Sequence, residues 1–204
     1  MKKLVLKTAL ITFACIIGLT ALLFGIFALF FPKTLGNAFD KIGGYSASMH
    51  FYEKQYEKTQ SLDDLYTLCI KVDGYNDAAR AKEYLGDMVK HQDFLEFCKK
   101  YDGNNVVSTE EYLESKFVTA VYVNDGIEEA MNQMLICTVN GYTEFNPINM
   151  LYTDTSFDWA SRKEDLGVMR NKIDIIMQTI PSTDHPAYTF ACQDSDTLYQ
   201  MING

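Results

Sequence analysis

The chain has 204 residues, with 18 basic and 27 acidic side chains and a formal net charge of −9. Three of the lysines precede a long apolar stretch, so the residues after it carry 15 basic and 27 acidic side chains, a net charge of −12. Because a basic patch is the electrostatic footprint of nucleic-acid binding, this balance excludes nucleic acid as a partner and argues against attachment to anionic lipids through a polybasic patch.

The apolar stretch, residues 8–31, is the first predicted element. It holds 24 residues without a charge between Lys7 and Lys33, and at about 1.5 Å per residue a helix of this length reaches about 36 Å. A hydrocarbon core is about 30 Å thick. A signal peptide has a shorter apolar core of about 7–15 residues and a cleavage site of small residues, which is absent at the end of this run. The stretch therefore predicts an uncleaved transmembrane helix.

The flanking charges predict the orientation of this helix. Three lysines lie within the first seven residues, and only Lys33 and Lys41 follow within about ten residues. Because cytoplasmic flanks are enriched in basic residues, residues 1–7 are expected in the cytoplasm and the rest of the chain outside the cell membrane. The Met-Lys-Lys start and the lysine-rich composition are typical of a bacterial chain, so the outside is the cell surface or periplasm.

The predicted transmembrane helix also carries a stripe of small side chains. The stripe has heptad spacing and consists of Ala14, Gly18, Ala21, Gly25 and Ala28. Small residues on one face allow membrane helices to approach closely. The stripe predicts a packing face for another membrane protein or for a second copy of this chain, although glycine and alanine are common in membrane helices in general.

After a linker over residues 32–44, apolar spacing predicts six helices. Their ranges are 45–58, 62–72, 77–90, 91–102, 109–123 and 126–138. Ser61 is the predicted N-cap of the second of these helices, with Asp64 in the capping-box position.

An internal repeat lies within these helices. Residues 64–76 align with residues 93–105 at an offset of 29, with six identities in thirteen positions. Cys69 and Cys98 occupy equivalent positions, which favours core packing for both thiols. Self-similarity at this period indicates helical hairpins that bury their apolar faces on one another. The repeated Asp-Gly-x-Asn turns at 73–76 and 102–105 fit helix ends better than calcium loops.

This organisation resembles a tetratricopeptide-like solenoid, and the resemblance covers residues 45–139. It implies an all-α fold, with helical hairpins over residues 45–140 that follow the transmembrane helix. It implies architecture only.

Residues 141–204 are predicted to form a C-terminal helical cap. Residues 142–160 are irregular in pattern, and Ser161 with Glu164 forms a capping box for a helix that ends at Pro181. Residues 187–193 are predicted as a loop or short strand, and residues 196–202 as a last helix.

The sequence contains no motif of a known catalytic or metal site. HExxH, GxSxG, P-loop and GxGxxG patterns are absent from it, so no catalytic, cofactor-binding or metal-binding residues are predicted. His185, Cys192 and Asp194 form the most suggestive cluster, a conceivable thiol–imidazole pair, but a lone cysteine among apolar residues is usually a small buried side chain.

Tyrosines concentrate on the first predicted helices. Tyrosine combines a large contact area with a polar tip and is enriched at interfaces, so a partner-binding face is predicted for Tyr52, Tyr56, Tyr66 and Tyr84. The leading hypothesis is a non-catalytic, single-pass membrane protein whose extracytoplasmic repeat body binds another membrane or envelope protein as a scaffold or accessory subunit. The alternative is an envelope enzyme or small-ligand sensor with a site around Trp159 and His185.

Overall fold

The computed structural model of the chain describes residues 2–74, 77–102, 106–134 and 142–204. These residues form helices and connecting turns without a strand, which confirms the predicted all-α class. The helices are α1 (Lys2–Phe30), α2 (Pro32–Lys41), α3 (Tyr45–Thr59), α4 (Leu62–Gly74), α5 (Ala78–Val89), α6 (Phe94–Tyr101), α7 (Thr109–Asp125), α8 (Ile127–Gln133), α9 (Pro147–Tyr152), α10 (Lys163–Thr179) and α11 (Pro186–Asn203). A 3₁₀ turn, Trp159–Ser161, precedes α10.

The six helices predicted from apolar spacing appear as α3 to α8 and begin within three residues of the predicted positions. The predicted cap of α4 is present, since Ser61 Oγ accepts a hydrogen bond from the backbone N–H of Asp64 at 3.2 Å. The end of the helix predicted over residues 126–138, Cys137 and parts of both Asp-Gly-x-Asn turns lie outside the described residues.

Three prolines begin helices where the sequence predicted irregular chain. Pro32 is at the start of α2, inside the predicted linker, and Pro147 is at the start of α9. Pro186 starts α11, which is continuous through residues 187–193, so the predicted loop or strand there is wrong. Proline suits the first helical turn because its fixed φ is helical and the N–H it lacks would be unpaired there.

The predicted start of α10 is also wrong. Ser161 is the last residue of the 3₁₀ turn, its hydroxyl donates to the carbonyl of Asp158 at 2.8 Å, and Arg162 precedes the helix without a side-chain cap. The burial of Trp159 holds this turn in place, so the helix begins after it. A capping box is present instead at α7, where Ser108 and Glu111 satisfy each other's backbone N–H groups.

The chain divides into two compact units, residues 1–71 and residues 72–204, with the boundary in the last turn of α4. In the first unit α2 packs on α3. A Cβ added to Gly36 would lie 3.0 Å from Cε1 of Tyr52, so glycine allows the tyrosine ring to lie directly against the α2 backbone. The Tyr52 hydroxyl donates to Oδ1 of Asn37 at 2.7 Å, which fixes the ring in this position.

Asp64 joins α2, α3 and α4 within the first unit. Its carboxylate accepts hydrogen bonds from Lys33 at 2.8 Å, Gln55 at 3.1 Å and Thr59 at 2.8 Å. Burial alone would raise the pKa of Asp64, but these donors outweigh it and lower the pKa to about 2. The ionised carboxylate is therefore the form that holds the three helices together.

In the second unit α7 is the central helix. It contacts α5, α6, α8 and α9, while α10 packs on α11 and on α8. Fully buried side chains of this core include Leu113, Ile148, Leu166, Met169 and Ile173.

Three aligned positions of the two repeat segments are buried in both segments. They are Leu65, Leu68 and Cys69 in the first segment and Phe94, Phe97 and Cys98 in the second. Other aligned positions differ, since Val72 is buried whereas its counterpart Tyr101 is 37% exposed, and Leu95, the counterpart of the half-buried Tyr66, is 54% exposed.

We predict that Asp64→Asn makes the free energy of unfolding less dependent on pH in the acid range. Because the folded pKa of Asp64 lies below its unfolded value of about 3.9, its contribution of about 2 kcal/mol is present above pH 4 and is lost as the pH falls towards 2. Denaturant unfolding of the full-length protein in detergent, followed by circular dichroism at pH 7 and pH 3, measures the difference. Asp63→Asn, at the exposed neighbouring position, serves as the control, and an equal effect of both variants at both pH values would refute the prediction.

Candidate functional site

Helix α1 is long and apolar enough to span a membrane. Residues Leu10–Phe30 have a mean hydropathy of 2.6, and the most apolar 18-residue window has none of its residues buried inside the chain. Large side chains along its length are exposed, including Leu10, Phe13, Leu22 and Leu29. The helix therefore presents an apolar surface that its own chain leaves uncovered.

The small-residue face of α1 is open over its first part. Ala14, Gly18 and Ala21 are exposed, whereas Gly25 and Ala28 are half-buried. A Cβ added to Gly18 would meet no atom within 4 Å. The part of the stripe that is free for another helix is therefore centred on Ala14, Gly18 and Ala21.

The four predicted partner-binding tyrosines differ in exposure. Tyr52 is 2% exposed and belongs to the interior of the first unit, so its prediction as a surface residue is corrected. The tight packing against Gly36 explains this burial, since the ring occupies the space that a side chain at residue 36 would fill. Tyr56, Tyr66 and Tyr84 are half-buried, with part of each side chain at the surface.

A cavity of about 290 Å³ lies in the second unit beside α5 and α7. Its lining combines buried apolar side chains, such as Leu85 and Ala120, with partly exposed charged ones, such as Asp73 and Lys116. The charged side chains of the lining are half-buried, and the apolar side chains range from the buried Leu85 to Val123, which is 53% exposed. The site suits a group with an apolar body and a polar end.

The charges around this cavity are predominantly negative. Asp73, Asp77 and Asp154 contribute to the lining, against one cation, Lys116. Nζ of Lys116 lies 2.9 Å from Oδ1 of Asp73, and Oδ2 of Asp73 accepts a hydrogen bond from the hydroxyl of Tyr112 at 3.1 Å. Residues 72–204 hold 10 basic and 22 acidic side chains. Arg80 lies 3.6 Å from a carboxylate oxygen of Asp77, so the three lining carboxylates and their two cationic partners keep a small excess of negative charge.

Trp159 and His185, the centre of the alternative site, have structural roles. Trp159 is 8% exposed, stacks on Tyr122 with ring centroids 5.7 Å apart, and donates from Nε1 to the carbonyl of Asp154 at 3.1 Å. Nδ1 of His185 accepts the backbone N–H of Ala187 at 3.2 Å and so caps α11.

Asp194, on α11, is the centre of a buried polar network that the sequence analysis did not predict. It is 4% exposed, and one carboxylate oxygen accepts from the hydroxyl of Tyr142 at 2.6 Å and from Asn146 at 2.8 Å. The other oxygen accepts from the hydroxyl of Tyr152 at 2.6 Å and from Asn149 at 3.1 Å. Burial and the bond to Asp194 both raise the pKa of Tyr152, which keeps this tyrosine a donor.

The network also orders the start of α9. Oδ1 of Asn146 accepts the backbone N–H groups of Ile148 and Asn149, both at 3.0 Å, while its amide reaches Asp194. A cavity of about 190 Å³ adjoins it, lined by polar side chains that include Glu144, Asn149 and Asp194. The burial of Asp194 could have been inferred from the sequence, because this residue lies at helical spacing with Ala187, Ala191 and Leu198, which are buried on the same helix.

Two of the thiols in the described residues are core side chains. Burial, followed by the nearby charges of Glu110 and Asp102, raises the pKa of Cys98 to about 12, which keeps it a protonated core side chain. Cys69 is buried as well, and Cys192 is half-buried. Within the part of the chain that the structure describes, no three histidine, cysteine or acidic residues are grouped so as to hold a metal ion.

Comparisons of the chain with protein-family models, with curated proteins and with solved structures find no match.

We predict that Asp194→Asn lowers the free energy of unfolding by about 2–4 kcal/mol. The Asp194 carboxylate accepts hydrogen bonds from four donors, whereas the amide group of asparagine would place an N–H donor against some of them. Denaturant unfolding followed by circular dichroism measures the change. Asp196→Asn, two residues along the same helix and exposed, should stay within about 0.5 kcal/mol of the parent protein. Similar stability of both variants would mean that the network contributes little.

Proposed function

We propose that the protein is a single-pass membrane protein that holds an acidic helical body outside the cell membrane and binds another envelope or membrane protein through it. The observation that carries the proposal is the exposed apolar surface of α1, with its 21-residue stretch of mean hydropathy 2.6. Lysines before this stretch support a cytoplasmic N-terminus. The body that follows supplies the contact with the partner.

The cavity beside α5 and α7 supports protein binding as the role of the body. A lining that combines apolar side chains with Asp73, Asp77 and Asp154 suits an apolar side chain next to a lysine or arginine of a partner. We propose that residues 45–140 bind a partner protein in the manner of tetratricopeptide-like helical repeats. Tyr56, Tyr66 and Tyr84 are proposed as further contact residues. The protein would then act as a scaffold or accessory subunit without catalysis of its own.

The face formed by Ala14, Gly18 and Ala21 supports a second contact inside the membrane. Its exposure allows close approach by the helix of a partner or of a second copy.

The alternative, a sensor of a small ligand, is supported by the cavity of about 190 Å³ beside Asp194. The four hydrogen-bond donors that the Asp194 carboxylate already has favour a structural role for this residue. Protein binding is therefore the preferred proposal.

We predict that an affinity-tagged full-length protein, extracted in mild detergent, co-purifies with a defined partner and that a lysine introduced at the cavity reduces the recovery at least fivefold. Val123→Lys and Ser156→Lys add a positive charge at positions that line the cavity, which repels a cationic partner group. Quantitative mass spectrometry of the eluates gives the recovery. Thr155→Lys and Asn132→Lys, at exposed positions outside the cavity lining, are the matched controls.

The same experiment separates the two proposed contacts. Gly18→Leu/Ala21→Leu blocks the open face of α1, and Thr12→Leu/Thr20→Leu adds similar bulk elsewhere on the helix. Loss of the partner with the first pair alone would assign recruitment to the membrane helix, and loss with the cavity variants alone would assign it to the body. A protein recovered alone and monodisperse in every form would contradict the proposed function.

A further inference from the structure

The helical hairpin of α2 and α3 folds back along α1. Phe51 of α3 contacts Phe24 of α1, with ring centroids 6.1 Å apart at an interplanar angle of 76°, and Nζ of Lys58 donates to the carbonyl of Phe30 at 3.4 Å. The two contacts follow in the same order along both helices and at similar spacing. Helix α3 therefore runs parallel to the last part of α1, and α2, which precedes it through the turn of residues 42–44, runs in the opposite direction.

This arrangement places the turn of the hairpin near the middle of the apolar helix. Helix α3 begins at Tyr45, six residues or about 9 Å before Phe51. Since Phe51 is opposite Phe24, the start of α3 lies opposite Gly18. Residues 8–18, the apolar part of α1 beyond that level, are about 16 Å long, whereas a hydrocarbon core is about 30 Å thick. Three lysines precede residues 8–18, so with the hairpin in place α1 has no free uncharged stretch long enough to cross a bilayer.

The surface of the hairpin is too polar to lie in hydrocarbon itself. Lys41 at the end of α2 and Lys54 and Glu57 on α3 are exposed. Their positions along the hairpin correspond to the part of α1 between Gly18 and Phe30. Charged side chains within a bilayer are costly because they lose their hydration there. The packed hairpin and a span of α1 across the bilayer through Phe30 therefore exclude each other.

The connection between α1 and α2 has the construction of a hinge. Phe31 is the single non-helical residue between them, with φ −132° and ψ 52°, and it provides no side-chain cap for α2. Pro32 follows, and it has no N–H with which to continue the hydrogen bonds of α1. A change in the backbone angles of Phe31 moves the hairpin away from α1 as one body, because the stack of Phe39 on Phe51, with centroids 5.6 Å apart, lies within the hairpin.

The packed hairpin covers one side of the C-terminal half of α1. Phe24, Ile26 and Phe27 are 41–47% exposed, whereas the exposed large apolar side chains from Leu10 to Leu22 have values of 53–64%. The small-residue stripe changes in the same way, since its first three members are exposed and its last two are half-buried. Removal of the hairpin therefore makes the whole stripe available to another membrane helix.

We infer that the α2–α3 hairpin is a hinged cover of the C-terminal half of α1, which is packed on α1 outside the bilayer and moves away about Phe31 when α1 spans the membrane. The inference rests on the proposed membrane span. It links membrane insertion to partner binding, because only the inserted, open form presents the full small-residue stripe.

Photocrosslinking of the full-length chain tests the inference. The photoreactive analogue p-benzoylphenylalanine replaces Phe24 in one variant and Phe39, which contacts the same ring of Phe51 within the hairpin, in the matched control. Each variant is synthesised in a cell-free system with and without dioleoylphosphatidylcholine vesicles and irradiated, and mass spectrometry of the peptides gives the yield of crosslinks to α3. We expect vesicles to lower the yield from position 24 at least fivefold and to leave the yield from position 39 within twofold.

The outcomes separate the inference from the proposed function. An alkaline wash of the vesicles shows whether the chain is inserted. If the washed, inserted chain keeps the crosslink from position 24 to α3 at the yield found without vesicles, the inference is overturned and the span stands. Absence of that crosslink without vesicles would overturn the inference as well, since the packed form would then not exist. Removal of the chain from the vesicles by the wash would overturn the proposed span and the inference together.

Discussion

The exposed apolar surface of α1 is the constraint on which the rest of the structure depends. Thirteen large apolar side chains between Leu10 and Phe30 are exposed, and leaving them in water would cost about 20 kcal/mol at the usual 1.5–3 kcal/mol per fully exposed side chain. That exceeds the net stability of a typical domain, about 5–15 kcal/mol. The proposed position in a bilayer would remove this surface from water, and the exposed face of small residues would then suit helix–helix contact there.

The first unit is built around the point where this helix ends. Gly36 allows the Tyr52 ring to lie against α2, and the ionised Asp64 ties Lys33 of α2 to Gln55 and Thr59 of α3. These bonds hold α2, α3 and α4 together. The net negative charge is confined to the second unit, whereas residues 32–71 hold equal numbers of basic and acidic side chains.

Helix periodicity was readable from the sequence, because apolar residues at 3–4 spacing mark the buried face of each helix. The start of a helix at a proline could not be read from the sequence in this way. The fixed φ of proline and its missing N–H can end one helix or begin another, and Pro32, Pro147 and Pro186 all begin helices. Tyr52 illustrates a second limit. Its burial depends on Gly36, sixteen positions away, and a pairing of that kind is set by tertiary packing. The Asp194 network likewise joins residues about 50 positions apart.

The most direct measurement of the central claim is protease digestion of intact, outer-layer-stripped cells that express the protein with a C-terminal epitope tag, followed by an alkaline wash of the membranes. A membrane-anchored protein with an external body should lose its tag to added protease, and its N-terminal fragment should stay in the washed membrane pellet. A tag that survives until the cells are lysed would contradict the external location. Release of the undigested chain into the alkaline supernatant would contradict the membrane span itself.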